Sequence, residues 1–548
     1  MTRRVRKSPT EDAFVPGPAF DTSRTPPARV KNVNTTDLRA AVTSACQVMG
    51  QIFNPDDNGR PYMYTRIWPD GWLGFSPWHG ASQVSGRHLN ALLAAEHAFD
   101  LPALDSVITA HTKAAFFSLS AGPLPGNHRD PGGPLVALHE HFIREALHGL
   151  HALVRYRNSD QAHTAAEALI RDVQHLWGRN EDWDEQAIEH AYGLPMMVRP
   201  TFVEGVGRAI GPLVKFHETT RSPEALALAQ QLADHATTHA FLADGKYDAE
   251  RLGAHCHSTT CTLSGLARLA DLTGDQHLLN RTRQFYDHGL PTIRDEVGWV
   301  RERHHRESAG FHPEQGEMNN VGDIIETALI LGRHFGDSYY QDAERYLRCQ
   351  LLPSQVRDLS FMEEVAGGDE RRDLQTRLLG VFGFSAVYGH LPKGKSEAAP
   401  SLDIVGGATA SLCAAQLAIA PTINGTTHIN MLFDYESDAI RIESPYTGPA
   451  LRITPRTAGN IHVRIPTWAD IDAMTVNSQP ARPLVHNSRL VVSDPHLGQP
   501  IEISFPIPDM PVQIHHEEHV IDAELRGDAM RAMDDLGTGL AYFPRLNE

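Results

Sequence analysis

Gly316-Glu-Met-Asn-Asn-Val-Gly-Asp-Ile-Ile-Glu326, running on through an apolar stretch to the turn Phe335-Gly-Asp-Ser338, is where the fold can be read. Apolar residues at helical spacing follow Glu317. The polar turn is followed at once by a second amphipathic segment, Tyr339–Arg348. The unit is a helical hairpin with a carboxylate, Glu317, on the lip of its first helix. Similar turns fall at Phe99-Asp100, Asn158-Ser-Asp160, Thr220-Arg-Ser-Pro223, Thr273-Gly-Asp275 and Gly336-Asp337, roughly 53 to 62 residues apart. An Asp or Ser in each turn can cap the next helix by accepting its free backbone N–H groups.

Each helix pair carries one apolar face, as in Leu263, Leu266, Ala267 and Ala270 at i, i+3, i+4 and i+7. One pair cannot bury that face alone, so regular repetition implies stacked neighbours. About six pairs fit into residues 36–420. Closed in a ring they make an (α/α)6 barrel. An open solenoid would show the same pattern, and the repeat number favours closure. From 424 to 548 the periodicity changes to two, in segments such as Thr427–Phe433, Ala439–Ile442, Ile461–Ile465 and Ile501–Phe505. Short alternating strands at this spacing predict an antiparallel β-sandwich. The expected chain is mostly α with a β domain, preceded by a loose, Pro- and charge-rich arm over residues 1–35.

With 67 acidic against 49 basic residues the net charge is -18, which argues against nucleic acid and anionic membranes as partners. Five scattered cysteines without a CxxC pair argue against a disulfide framework or a zinc knuckle. The basic N-terminus lacks a following apolar region, and no run of eighteen apolar residues occurs. These features predict a cytoplasmic protein with no signal peptide and no membrane span.

The motif Gly316–Ile325 resembles the Glu-x-Cys segment of the β-L-arabinofuranosidase-like family, glycoside hydrolase family 127 and its relatives. Tyr339–Leu352, Ala254-His-Cys-His-Ser258 through Asp275, Ile461–Trp468, Val476-Asn477 and Glu524–Asp528 are similar to further parts of that family, so the likeness spans residues 85–545. It implies a helical barrel followed by a β-sandwich, activity on a glycoside, and compatibility with a homodimer. Family members hold zinc through a glutamate and three cysteines, one of them the nucleophile. Glu317 matches that glutamate, whereas Asn319 stands at the first cysteine and Gly406-Gly407 at the Cys-Cys pair. Asparagine is a poor zinc ligand and glycine has no side chain, so the expectation is no metal and no cofactor.

The resemblance places the family's acid/base glutamate in Val300–Ser308, where Glu302 and Glu307 are the candidates. Glycoside hydrolysis needs one carboxyl to protonate the leaving oxygen and another as base or nucleophile. Glu317 with Glu302 or Glu307 would supply that pair, and their separation would indicate retention or inversion. His255, His257 and Asn319 are candidate sugar contacts. Two residues apart at a helix start, the histidines need not share a face. His304, His305 and His312 lie near the acids, and His139-Glu-His141 flanks a helix start. Trp72 and Trp78, in a Gly/Pro-rich loop, are candidate stacking platforms for a sugar. Gly205-Val-Gly207 through Gly211 has the wrong spacing for a phosphate cradle and reads as close helix packing. The leading reading is an exo-acting glycoside hydrolase on a small furanoside-type substrate. The alternatives are a non-hydrolytic sugar-binding relative, or a sugar lyase or epimerase on the same barrel.

Overall fold

The computed structural model describes residues 27, 29–76, 81–102, 104–128, 135–179, 181–304, 312–395, 397–516 and 519–548. Most of the expected N-terminal arm therefore lies outside the described residues. Its last part does not hang free: Val30 donates its N–H to the Ala541 carbonyl at 3.1 Å and Arg29 pairs with Asp535 at 3.0 Å.

Among the described residues, twelve helices build the barrel: α1 (Leu38–Gly50), α2 (Ala81–Phe99), α3 (Asp105–Ser118), α4 (His141–Arg157), α5 (Asp160–Leu176), α6 (Ile210–Thr220), α7 (Pro223–His239), α8 (Cys256–Thr273), α9 (Gln276–Gln284), α10 (Met318–Phe335), α11 (Asp337–Tyr346) and α12 (Leu402–Ala418). The even-numbered helices form the inner ring. Each packs on the next, and α12 packs back on α2, so the ring is closed and the solenoid alternative falls. The odd-numbered helices lie outside. Five hairpins run from inner to outer helix along the chain; the sixth pairs α12 with α1, joining the two ends of the helical region.

Close contact in the inner ring depends on small residues. A Cβ at Gly86 of α2 would stand 1.9 Å from the Glu145 carbonyl of α4, and one at Gly265 of α8 would stand 2.8 Å from the Gly211 nitrogen of α6. The expected capping is made at three turns, where Ser159, Ser222 and Asp275 accept from the N–H groups of Ala162, Ala225 and His277 with Leu278. It is not made by Asp100 or Asp337. The Leu104 N–H before α3 donates instead to Glu96 at 2.7 Å, and α11 begins after Gly336 with no side-chain cap.

Past Ala418 the chain forms antiparallel sheets. One has six strands, in the order 479–480, 475–476, 501–504, 451–455, 440–443 and 435–436. Another has five, in the order 485–486, 489–492, 460–464, 426–429 and 422–423. A three-stranded sheet covers 509–533. Period-two burial is explicit in Ile440 and Ile442, and in Leu451 and Ile453, whose alternate neighbours Arg441 and Arg452 are exposed. One pairing departs from the antiparallel expectation: 426–429 runs parallel to 460–464. Glu344 on α11 ties this region to the barrel, accepting from Arg348 and Arg464 with all three side chains fully buried. Among the described residues, no helix is long and apolar enough to cross a membrane.

Candidate active site

Three segments meet at the N-terminal end of the inner ring: 254–257, 299–303 and 315–319. Main-chain bonds zip them together. Cys256 donates its N–H to the Glu302 carbonyl at 3.1 Å, Glu302 donates to the Gln315 carbonyl at 2.8 Å, and Arg301 bridges Gly316. Trp299 Nε1 and the Gly316 N–H both donate to the Ser385 carbonyl, at 2.8 and 3.0 Å, pinning the assembly against the loop before α12.

Glu317 occupies the N-cap position of α10 in an extended conformation, yet its carboxylate caps nothing. It turns inward, 5% exposed. Asn319 Nδ2 donates to Glu317 Oε1 at 2.6 Å, His257 Nδ1 lies 3.4 Å from that oxygen, and His255 Nε2 lies 3.6 Å from Oε2. The same His255 nitrogen is 3.5 Å from Glu302 Oε1, and Glu302 is 3% exposed. Both histidines reach Glu317 because His255 is itself the extended N-cap of α8, while His257 sits in the first helical turn. The extended residue removes the angular separation that two helical positions would impose.

The electrostatics split the two acids. Burial, then the neighbouring Glu317 charge, pushes the Glu302 carboxyl well above the usual carboxylate range. Burial also presses on Glu317, but His257, His255 and a hydrogen bond with Glu302 outweigh it and hold Glu317 well below that range. The pair thus holds one proton, carried by Glu302. Burial keeps His257 neutral and lowers His255 to about 4. The expected opposition of two carboxyls across a bond is not what forms: the acids touch, whereas a retaining pair stands about 5 Å apart and an inverting pair more.

Each histidine has a second partner. His255 Nδ1 lies 2.8 Å from Ser258 Oγ, and its backbone N–H donates to Glu204 Oε1 at 2.9 Å. His257 Nε2 faces Asp323 Oδ2 at 3.4 Å, and Thr260 Oγ1 donates to the same oxygen at 3.0 Å. His141 stacks on His255, with centroids 5.8 Å apart. Next to the cluster, and sharing His257 and Asn319 with it, an axial chamber is lined from all six inner helices, including Arg87, Arg144, Lys215, Asp323 and Gly407.

Glu302, Glu317, His255, His257 and Asn319 are therefore brought together. Trp72 is not an exposed platform: it lies in a hairpin, Tyr64–Arg66 with Trp72–Gly74, only 5% exposed and covered by the Arg66 guanidinium. Pairing of these short strands turns the ring into the protein. Glu307, Trp78 and His305 lie outside the described residues. His304 packs on Tyr247, and the His312 N–H donates to Gln315. Sequence reasoning missed Glu204 and Asp323. The signal for Glu204 was Gly253, held at φ +88°, where a Cβ would stand 2.5 Å from the Glu204 carboxylate.

A thiolate zinc centre does not fit these residues. A Cβ on Gly407 would stand 1.9 Å from Asn319 Oδ1, and one on Gly406 would meet Arg87 and His88 at 2.8 Å. The volume that cysteine side chains would need at 406 and 407 is filled by neighbours.

No protein-family model and no curated protein matches this sequence. Solved structures do. A GH127 β-L-arabinofuranosidase from Geobacillus stearothermophilus T6 superposes with a TM-score of 0.55 at 14% identity, over 90% of this chain and 80% of that one. A second GH127 β-arabinofuranosidase gives 0.57 at 12% identity, over 92% and 84%. A protein described as a glycoside hydrolase gives 0.53 at 14% identity, over 88% and 85%. At this identity the likeness establishes the fold: a helical barrel followed by antiparallel sheets, shared over almost the whole chain.

Proposed function

We propose that this protein is a glycoside hydrolase in which Glu302 donates a proton to the leaving oxygen of a bound sugar, water adds to the anomeric carbon, and the proton that water releases returns to the Glu302–Glu317 pair. One observation carries the reading: two buried carboxyls, Glu302 and Glu317, share His255 at 3.5 and 3.6 Å beside His257 and Asn319 at the mouth of a helical barrel, where burial and the adjoining carboxylate favour the protonated form of Glu302. A protonated acid near neutral pH is what departure of a sugar alkoxide requires. Glu317 is the anionic half of the pair and keeps the proton on its neighbour. His255, His257 and Asn319 supply polar contacts for sugar hydroxyls. The substrate in this reading is a small furanoside-type glycoside attacked from its end; the furanoside is supported by the two GH127 β-arabinofuranosidases that share the fold.

A panel of aryl glycosides, furanosides included, tests it. Release of the aryl group that is lost in Glu302→Gln supports hydrolysis. An unsaturated, ultraviolet-absorbing product from uronate-containing oligosaccharides would instead mean elimination. Thermal stabilisation by sugars with no product would mean binding alone.

A further inference from the structure

We propose that His255 Nε2, His257 Nδ1 and the Glu317 carboxylate form a binding site for one divalent first-row transition cation at the mouth of the barrel. These three ligand atoms lie within 4.8 Å of one another. Donor atoms held about 2.0–2.2 Å from one ion stand roughly 3.0–3.6 Å apart. The two N···O separations, 3.6 Å from His255 and 3.4 Å from His257, fall in that interval and are long for hydrogen bonds.

The surrounding groups aim the donors. An imidazole that ligates through one nitrogen is oriented by a partner on the other. Ser258 Oγ holds His255 Nδ1, leaving Nε2 for the cluster. Asp323, itself fixed by Thr260, faces His257 Nε2 and leaves Nδ1 for Glu317. Asn319 fixes the Glu317 carboxylate. Glu302 Oε1 stands 3.5 Å from His255 Nε2. Two neutral imidazoles and one carboxylate suit zinc, cobalt, manganese or ferrous iron, and supply too few oxygens for calcium or magnesium.

Among the described residues, two other donor groups compete. His257, Cys261 and Asp323 cluster on the opposite side of the His257 ring, and Glu181, His235 and His239 cluster at the surface. In the first, the Cys261 thiol donates to the Ser258 carbonyl at 3.4 Å and Asp323 is engaged by Thr260. In the second, His235 already pairs with Glu181 at 3.0 Å.

The test uses full-length protein stripped by a chelator, carrying His239→Ala so that the surface group does not contribute. Titration with Co2+ is followed by visible absorption, and with Zn2+ by calorimetry. One equivalent should bind, at least tenfold more weakly in His257→Gln, and also in Asp323→Asn, which touches no ion directly. Failure of the unmutated cluster to bind either cation stoichiometrically overturns the proposal without recourse to any buried variant. So does affinity unchanged in both His255→Gln and His257→Gln. A sulfur-to-cobalt charge-transfer band that vanishes in Cys261→Ser would place the ion across the ring and overturn it as well. Cation binding and glycoside cleavage can fail separately: turnover by protein that binds no cation removes this site and leaves the glycosidase reading standing.

Discussion

Two buried charge clusters meet at Asp323, which faces Arg144 of one at 3.9 Å and His257 of the other at 3.4 Å, and they are built on different plans. At the axis, Glu145 on α4 is fully buried and receives Arg87 at 3.0 Å, Arg144 at 2.9 Å and Arg208 at 3.3 Å, while Arg87 also takes Asp403 at 2.9 Å. Three cations surround one anion, and burial is outweighed, so the Glu145 carboxyl is held down at about 2. At the mouth, Glu302 and Glu317 touch each other among two imidazoles and an amide, and one guanidinium, that of Arg303, reaches Glu302 at the longer distance of 3.9 Å. The axial set is a compensated network that holds α2, α4 and the start of α6 in register. The mouth keeps two adjoining acids with one distant guanidinium beside them, a weakly compensated and costly arrangement that is expected where chemistry is done.

The same near-isosteric substitution should therefore act in opposite ways in the two places. Glu302→Gln removes the transferable proton, so kcat on a cleaved aryl glycoside should fall by about 10²–10⁴. Its melting temperature should stay level or rise, because a buried acid beside another acid has been relieved. A variant that loses activity only in proportion to lost folding would break the contrast. Glu145→Gln should do the reverse at the level of the fold. It leaves three buried guanidinium groups short of their anion, at a cost of about 3–5 kcal/mol in urea unfolding. A fully stable Glu145→Gln would show that the axial network contributes nothing.

Acid sharpens the contrast. The folded-state value of Glu145 lies below its unfolded one, so its stabilisation is complete above about pH 4.5 and is lost as pH falls toward 2. The shift from 4.5 to about 2 corresponds to roughly 3 kcal/mol. The wild-type unfolding free energy from urea titration should drop across this window by more than that of Glu145→Gln, the difference matching that amount. Equal slopes in the two proteins would remove Glu145 from the acid response.

How much of this was legible follows from range. The hairpin period and the switch to alternation near 424 are local, and they carried the ring and the sheets. Glu317 and the two histidines could be named because they stand at helix starts within a motif, and Glu302, with Glu307, because the family likeness placed an acid in 300–308. Their geometry could not be. That Glu302 touches Glu317 depends on main-chain pairing between 299–303 and 315–316, a contact with no periodic signature. Trp72 misled because a three-residue hairpin strand rich in Gly and Trp reads as an exposed loop. Glu204 and Asp323 act through partners fifty or more residues away, and only glycine placement hinted at the first.

Gly407 tests where the two clusters meet. It lies in the first turns of α12, lines the axial chamber, and has Asn319 Oδ1 where its own Cβ would be, 1.9 Å away. Gly407→Ala must push the Asn319 side chain of α10 aside, since α12 is held on its other faces by α2 and α1. Overpacking of this kind costs about 1–3 kcal/mol. The displaced amide also stops donating to Glu317, so activity should fall further than stability explains. Asn319→Ala in the same chain creates the missing space, and Gly407→Ala/Asn319→Ala should recover most of the stability but none of the lost activity. Recovery of both would mean that the Asn319–Glu317 bond serves packing alone, and the mouth would then differ less from the axis than its charges imply.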